Sequence, residues 1–207
     1  HSRLPDAFPP TMQGLLGATE FIEAARQFPD RWRLDGDPVL VVGGGNTAMD
    51  AAILSAKLGG QVTVVYRRDE AAMGAYPAER DLARRHGVRF LFGAKVLTPQ
   101  GGGADGAEFV EGLRVRLASG IDVLPARRLI MAVGQSRWQR LRDALTQASI
   151  GADGLFAVDA AFKTAIPGVF AGGDCVNGGR EAVHAVAHGR DAARAMADWL
   201  AGPVAPW

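Results

Sequence analysis

The feature that most restricts the fold of this 207-residue chain is a glycine-rich turn between an apolar strand and a helix. A strand is predicted over residues 39–42, where β-forming side chains follow one another without polar alternation, as in a sheet buried on both faces. Three glycines occupy 43–45, a helical pattern covers 46–58, and a second strand is predicted over 61–66. This order predicts a β-turn-α-β unit of the dinucleotide-binding type.

The turn fits the pattern Gly-x-Gly-x-x-Ala, and each small residue has a physical reason. Gly43 allows the tight turn, Gly45 lets the backbone approach a pyrophosphate, and Ala48 lets the helix pack on the strand. The helix N-terminus also offers unpaired N–H groups and a partial positive charge. We therefore expect the phosphates of a dinucleotide to lie against Gly43, Gly44, Gly45, Asn46, Thr47 and Ala48. An ordinary glycine-rich βα turn is the alternative.

The end of the second strand predicts which dinucleotide is bound. An NAD site has Asp or Glu about 20 residues past the glycines, where it binds the ribose 2′-hydroxyl. This chain has Arg67 and Arg68 there, and a guanidinium binds a 2′-phosphate through two charge-assisted hydrogen bonds. The prediction is therefore NADP(H). The alternative is that the two arginines are surface residues neutralised by Asp69 and Glu70, which follow at once.

The flanking segments predict additions to this unit. Amphipathic helices are expected over 15–28 and 78–86. Strands are expected over 88–96 and 109–117, joined through a glycine-rich tip as an antiparallel hairpin. A further apolar strand is expected over 128–133.

Composition excludes several classes of function. A net charge of +1, with scattered arginines, argues against nucleic acid or a membrane as partner. Cys175 is the single cysteine, which excludes an internal disulfide, a redox Cys-x-x-Cys pair and cysteine-bound zinc or iron–sulfur clusters within the chain. His184 and His188 have a spacing that can bind metal on a helix, but no third ligand is evident, so no metal site is expected. No apolar run reaches membrane-spanning length and no signal peptide is evident, so a cytoplasmic protein is expected.

A second motif, over residues 164–174, resembles the C-terminal FAD signature of flavoproteins with two dinucleotide-binding domains. These families include thioredoxin reductase, glutathione-reductase-like enzymes and the glutamate synthase small-chain type. The resemblance implies that Asp174 binds the ribityl chain of FAD. It also implies that the following helix, expected over 180–200 with Val183, Val186 and Met196 as core residues, directs N–H groups at the isoalloxazine ring.

Several further runs are similar to the glutamate synthase small-chain and dihydropyrimidine dehydrogenase flavoprotein type. They cover 41–50, 62–68, 131–135, 177–183 and 189–193. Beside the glycine turn and the arginine pair, the resemblance implies cofactor contacts at Gly134, Gly173, Asp174, Arg180, Glu181 and Ala182.

The implied activity is hydride transfer between NADPH and FAD. This step needs stacked rings and the correct distance rather than a side-chain acid or base, so no catalytic residue is assigned. The resemblance further implies that electrons pass to an accepting domain or subunit, often one with iron–sulfur centres. A homodimeric state is also compatible with the sequence.

The expected fold class is α/β: a Rossmann-like three-layer NAD(P)-binding domain with an antiparallel hairpin insertion, plus the C-terminal portion of an FAD-binding domain. Residues 1–35 are assigned to a linker and helix from the FAD-domain side, 36–134 to the NADP-binding domain, and 135–207 to the FAD domain. Hinges between domains are expected near Gly36 and near 134–136.

The fingerprint that joins a predicted strand to a predicted helix occurs once, whereas the resembled family has an earlier one that holds the FAD pyrophosphate. Together with the unusual first residue, His1, this predicts a fragment with half of an FAD site. Other interpretations stay open: a dinucleotide-binding sensor or partner module without turnover, or an NADPH domain that acts with a separate FAD-bearing chain. A ferredoxin- or thioredoxin-reductase-like enzyme is a further alternative, and the missing Cys-x-x-Cys pair argues against thioredoxin reductase.

Overall fold

The computed structural model describes residues 4–103, 108–134, 145, 150–151 and 153–202. The chain divides into two compact units, His1–Ser136 and Arg137–Trp207. Residues 104–107 of the predicted glycine-rich tip and 135–136 of the predicted hinge lie outside the described residues.

Among its described residues, the first unit contains eight strands in two sheets. In chain order they are β1 (Leu15–Gly17), β2 (Pro38–Val42), β3 (Gln61–Val65), β4 (Arg89–Leu91), β5 (Lys95–Gly102), β6 (Phe109–Leu117), β7 (Gly120–Pro125) and β8 (Arg128–Met131). Five of them form a parallel sheet in the order β1-β8-β2-β3-β4. The other three, β5-β6-β7, form an antiparallel sheet that is inserted in the chain between β4 and β8.

Three α-helices connect the strands of the parallel sheet: α1 (Ala18–Gln27), α2 (Asn46–Lys57) and α3 (Pro77–Arg85). A short 3-10 turn, Pro29–Trp32, follows α1. The helices predicted over 46–58 and 78–86 are thus confirmed to within a residue at either end.

The parallel sheet is covered on both faces, which explains why β2 is apolar throughout. Val39 and Val41 point into a core shared with the three helices. Leu40 and Val42 point into a second core, formed with the antiparallel sheet and residues such as Phe8 near the start of the chain. Because adjacent side chains alternate between the faces, a strand between two cores needs apolar residues at every position. The predicted three-layer, Rossmann-like α/β fold with an antiparallel insertion is confirmed, and the third layer is the inserted sheet.

The strand predicted over 88–96 is wrong as a single element. Residues 89–91 pair with β3 in the parallel sheet, whereas the chain from Lys95 onward pairs with β6. The Gly93 N–H donates to the Arg68 carbonyl and the Ala94 N–H donates to the Tyr66 carbonyl, so the chain is held at the edge of β3 while it changes sheet. The hairpin also has a third strand, β7, that the sequence pattern did not reveal.

The helix predicted over 15–28 begins late, at Ala18. Leu15 and Leu16 instead pair with Leu129 and Ile130 of β8. Both segments are apolar, and the ladder with β8 satisfies backbone groups that a longer helix would have bonded internally. Phe28, at the end of the predicted range, is exposed.

The second unit contains a four-residue helix, α4 (Asp174–Asn177), and a long helix, α5 (Ala182–Ala201). The predicted core positions Val183, Val186 and Met196 are wrong, because all three are exposed. The helix packs through Ala185, His188 and Trp199 instead. A Cβ added at Gly172 would lie 3.0 Å from the His188 Cβ, and one added at Gly173 would lie 3.3 Å from the Ala185 Cβ.

Candidate functional site

A cavity of about 750 Å³ opens in the first unit at the carboxyl ends of β2, β3 and β8. Its wall contains Val42, Val65 and Ala132, each at or just beyond the end of one of these strands. In open α/β sheets ligands bind at this edge, where neighbouring strand ends leave a crevice. A volume of this size is within the range of small-molecule and cofactor sites.

The three glycines of the turn line this cavity, and the structure gives them different reasons to be glycine. Gly43 has φ +149°, and an added Cβ would lie 2.5 Å from the Ala132 carbonyl oxygen. A Cβ on Gly44 would run into the ring of Tyr66. An added Cβ on Gly45 would meet no protein atom within 4 Å. Packing within the protein therefore requires glycine at positions 43 and 44. It does not require glycine at position 45, where the backbone borders free space.

Helix α2 begins directly after Gly45, which is its N-cap and has extended backbone angles. Asn46 does not cap the helix; its Oδ1 accepts a hydrogen bond of 2.9 Å from the Tyr76 N–H. Thr47 is exposed, and Ala48 is fully buried against the sheet. The first N–H groups of a helix have no acceptor inside it, so the start of α2 presents donors at the cavity.

Arg67 and Arg68 both line the cavity but are held differently. The Arg68 Nε–H donates to the Tyr66 hydroxyl at 3.0 Å, and its guanidinium carbon lies 5.5 Å from the centroid of the Tyr66 ring. The Arg67 side chain is exposed and makes no hydrogen bond or ion pair within the described part of the chain. The pair thus consists of one fixed and one unrestrained cation.

The two acids that follow the arginines have other partners. Asp69 Oδ1 accepts a hydrogen bond of 2.9 Å from the Ala72 N–H. Glu70 Oε1 lies 2.7 Å from Arg84 NH2, and this hydrogen bond lowers the pKa of Glu70 and raises that of Arg84. Among the described residues, neither carboxylate pairs with Arg67 or Arg68.

A third cation at the cavity was not predicted from the sequence. Lys95, the first residue of β5, is an exposed lining residue of the cavity that also contains the arginines. The Ala94 N–H donates to the Tyr66 carbonyl at 3.0 Å, which brings this part of the chain beside the end of β3. Nothing in the sequence signals this placement, because it depends on the point at which the chain leaves one sheet for the other.

The residues assigned to flavin contacts lie mostly in the second unit. Gly173 is buried with φ +71°, and its N–H donates to His188 Nδ1 at 3.0 Å. Asp174 begins α4, is exposed, and accepts a 3.4 Å hydrogen bond from the Arg180 N–H through Oδ1. Glu181 is the N-cap of α5, and Ala182 is its first residue. Gly134 belongs to the first unit, where it is exposed and has φ +111°.

The candidate metal and redox residues have structural contacts. The imidazole of His188 accepts the Gly173 N–H and packs against Phe162, with ring centroids 4.8 Å apart. The Cys175 thiol donates to the Gly172 carbonyl at 3.1 Å. Within the described ranges, no group of three or more His, Cys, Asp or Glu side chains could hold a metal ion. Likewise, none of the described helices is long and apolar enough to span a bilayer.

Comparison with protein families gives one match over most of the chain. The profile of the pyridine nucleotide-disulphide oxidoreductases matches residues 6–189. Among curated proteins, the chain is 33% identical over 186 residues to the glutamate synthase [NADPH] small chain of Escherichia coli K12, covering 81% of this chain and 39% of that protein. It is 35% identical over 185 residues to the NADP(+)-dependent formate dehydrogenase subunit beta of Moorella thermoacetica, covering 81% of this chain and 26% of that protein.

A third relative is the NAD-dependent dihydropyrimidine dehydrogenase subunit PreT of Escherichia coli K12, which is 33% identical over 188 residues; the match covers 89% of this chain and 42% of that protein. Among solved structures, thioredoxin reductase of T. acidophilum superposes with a TM-score of 0.73 at 21% identity, covering 91% of this chain and 58% of that chain. This structural likeness concerns the fold. The chain spans well under half the length of the three curated relatives.

Proposed function

The chain belongs to the pyridine nucleotide-disulphide oxidoreductase family, and from that premise we propose that residues 36–134 bind NADPH and that residues 135–207 contribute half of an FAD site. The resemblance stated from the sequence motifs is thereby confirmed at the level of the family. The nucleotide, the flavin contacts and the transfer of electrons beyond the flavin are our proposals.

The NADPH assignment rests mainly on one observation. A single cavity contains both Gly45, whose backbone has free space beside it, and a group of cationic side chains with no acidic residue among the lining residues. A dinucleotide needs its pyrophosphate against bare backbone at a helix N-terminus, and Gly45 followed by α2 offers this. A 2′-phosphate needs cations without competing carboxylates. Arg67, Arg68 and Lys95 supply them, and the nearest acids in the sequence bond elsewhere.

The names of the three curated relatives do not agree on whether the nucleotide is NADP(H) or NAD(H). Two of the names contain NADPH or NADP(+), and the third describes its protein as NAD-dependent. The assignment to NADP(H) therefore depends on the arginines. An NAD-type site would place a carboxylate for the 2′-hydroxyl just after β3, and Arg67 and Arg68 stand there instead.

The second unit supports a flavin contact through Asp174. Its Oδ1 accepts a backbone N–H, while Oδ2 makes no bond within the described residues and the side chain is exposed. A carboxylate oxygen of this kind can accept a hydrogen bond from a ribityl hydroxyl. The backbone that precedes Asp174 is held in place, because the Gly173 N–H donates to His188 Nδ1 on α5.

Bound together, NADPH and FAD would supply the chemistry of hydride transfer. The part of this chain is to bind and orient: the start of α2 holds phosphate charge, the cations select the ribose phosphate, and Asp174 orients the flavin chain. No side chain has to move a proton for this step, so no catalytic acid or base is assigned. We further propose that the electrons go on to an accepting domain or subunit.

The test is a calorimetric titration of the chain with NADP⁺ and, separately, with NAD⁺. We expect NADP⁺ to bind at least about tenfold more tightly, which corresponds to about 1.4 kcal/mol. Replacement of both arginines, Arg67→Gln and Arg68→Gln, is expected to abolish the difference and leave NAD⁺ binding unchanged. Equal or tighter binding of NAD⁺ by the unaltered chain would refute the NADP(H) assignment.

A further inference from the structure

The two arginines after β3 are not equivalent, and the difference originates in Tyr66. Tyr66 is nearly buried, with 7% of its surface exposed. Both backbone polar groups are bonded to the segment after β4: the N–H donates to the Leu91 carbonyl at 2.9 Å, and the carbonyl accepts the Ala94 N–H at 3.0 Å. The residue is therefore a rigid point at the mouth of the cavity.

The phenol ring of Tyr66 is fixed as firmly as its backbone. The ring packs on Gly44, where any Cβ would overlap it. The hydroxyl donates to the Ala72 carbonyl at 2.7 Å, so its proton is already in use. A tyrosine hydroxyl whose proton is engaged still has lone pairs to offer an incoming donor.

Arg68 uses this acceptor. Its Nε–H donates to the Tyr66 hydroxyl at 3.0 Å, and its guanidinium carbon lies 5.5 Å from the ring centroid. No bond within the described residues uses Nη1 or Nη2 of Arg68. These groups retain the parallel donors that bind a phosphate in a bidentate manner. Arg67 has no comparable support, so its long side chain loses more conformational freedom when it contacts a ligand.

We propose that Tyr66 is a positioning residue that holds Arg68 ready for the 2′-phosphate of NADP(H), and that Arg68 rather than Arg67 sets the preference for NADP(H) over NAD(H). This inference rests on the proposed function, since it assigns roles within that same site. It also gives the middle glycine of the fingerprint a role in specificity: Gly44 leaves the space in which the Tyr66 ring lies.

Tyr66→Phe tests the proposal, because it removes the hydroxyl and retains the ring that packs on Gly44. We expect the affinity for NADP⁺ to fall about five- to tenfold, with NAD⁺ affinity unchanged within about twofold, equivalent to a loss of about 1.0–1.4 kcal/mol in discrimination. Arg68→Lys keeps the charge and should lose most of the preference, because an ammonium lacks the forked donors. Arg67→Gln is the matched control and should reduce the preference by less than about threefold.

A double-mutant cycle separates positioning from a general structural effect. In the Arg68→Gln background, Tyr66→Phe should cause no further loss of NADP⁺ affinity. Thermal melting of each variant without ligand reports on the fold independently of the ratio of affinities. If Tyr66→Phe keeps the full preference, or lowers NADP⁺ affinity equally in both backgrounds, the positioning role is wrong. If the unaltered chain does not prefer NADP⁺, the proposed NADP(H) site fails, and the role of Tyr66 fails with it.

Discussion

Replacing Gly45 with alanine separates ligand binding from stability. The backbone of Gly45 has φ −99° and ψ 177°, which any residue adopts, and an added Cβ would meet no protein atom within 4 Å. In the proposed complex, the space that the methyl group would fill belongs to the pyrophosphate. We therefore expect Gly45→Ala to leave the fold intact and to weaken dinucleotide binding.

The expected change in stability is small because two effects oppose each other. Alanine restricts the unfolded chain and so stabilises by about 0.4–1 kcal/mol. As the N-cap of α2, however, alanine is worse than glycine by about 0.5–1 kcal/mol. The net change in the free energy of unfolding should stay below about 1 kcal/mol. For a chain of this size, 1 kcal/mol corresponds to about 2–4 °C in melting temperature.

The expected change in binding is larger. A hydrogen bond from a backbone N–H to a charged phosphate contributes about 1.5–3 kcal/mol. Loss of one such bond weakens binding about 10- to 100-fold. The assay is calorimetric titration with NADP⁺, together with thermal melting of the ligand-free protein.

Two other glycines provide controls for Gly45→Ala. Gly189, on the exposed surface of α5, also has no atom within 4 Å of an added Cβ. Gly189→Ala should therefore leave the affinity for NADP⁺ unchanged and should not lower the melting temperature. Gly44→Ala places its methyl group in the Tyr66 ring and should lower the melting temperature. Wild-type affinity in Gly45→Ala at an unchanged melting temperature would refute the placement of the pyrophosphate.

Three further changes test other contacts. Lys95→Gln removes a cation from the cavity wall, so titration should show NADP⁺ affinity falling about two- to fivefold, less so at high salt; an unchanged affinity would exclude Lys95 from the site. His188→Phe leaves the buried Gly173 N–H without its acceptor, which should cost about 1–3 kcal/mol in denaturant unfolding, and full stability would contradict that role. The hydrogen bond from Arg84 lowers the pKa of Glu70 in the folded protein below its usual value of 4.5. The ionised Glu70 therefore stabilises the fold above pH 4.5, and this stabilisation is lost as the pH falls through the pKa of Glu70 in the folded protein. Melting of Glu70→Gln should therefore vary less with pH below 4.5 than melting of the unaltered chain, and identical profiles would refute the effect.

The parts of the fold that were predictable from sequence depend on local signals. The apolar run of β2, the glycine turn and the start of α2 follow one another in the chain, and each has its own local pattern. The transition between β4 and β5 has no such pattern. It is made by hydrogen bonds from Gly93 and Ala94 to the end of β3, which comes from a different part of the chain.

The candidate site shows the same division. Arg67 and Arg68 could be found by counting from the glycines, because the length of a β-turn-α-β unit is nearly constant. The different restraint of the two arginine side chains could not be predicted this way. It depends on the position of the Tyr66 ring, which packs on Gly44 after the neighbouring strand. The partner of Glu70 could not be found either, because Glu70 lies in the loop after β3 and Arg84 lies near the end of α3.

The second unit shows where a periodic pattern misleads. The pattern predicts Val183 and Val186 as core residues because large apolar side chains usually face inward. In the structure, the face of α5 that meets the glycines at 172–173 contains Ala185 and His188, and the helix can approach this closely because the glycines lack a Cβ. Apolar periodicity identifies the helix but does not tell which of its faces is covered within this unit.

The position of β8 also determines when the site can form during synthesis. β8 pairs with β2 in the middle of the parallel sheet, yet the chain reaches it only after completing the whole antiparallel sheet. Pairing between segments so distant in sequence closes slowly, because the long intervening loop must first lose its freedom. A nascent chain that ends at β7 already contains α2 and the glycines but lacks Ala132 and Val133, which form a wall of the cavity. Competence to bind a dinucleotide is therefore acquired late, when β8 emerges and inserts beside β2.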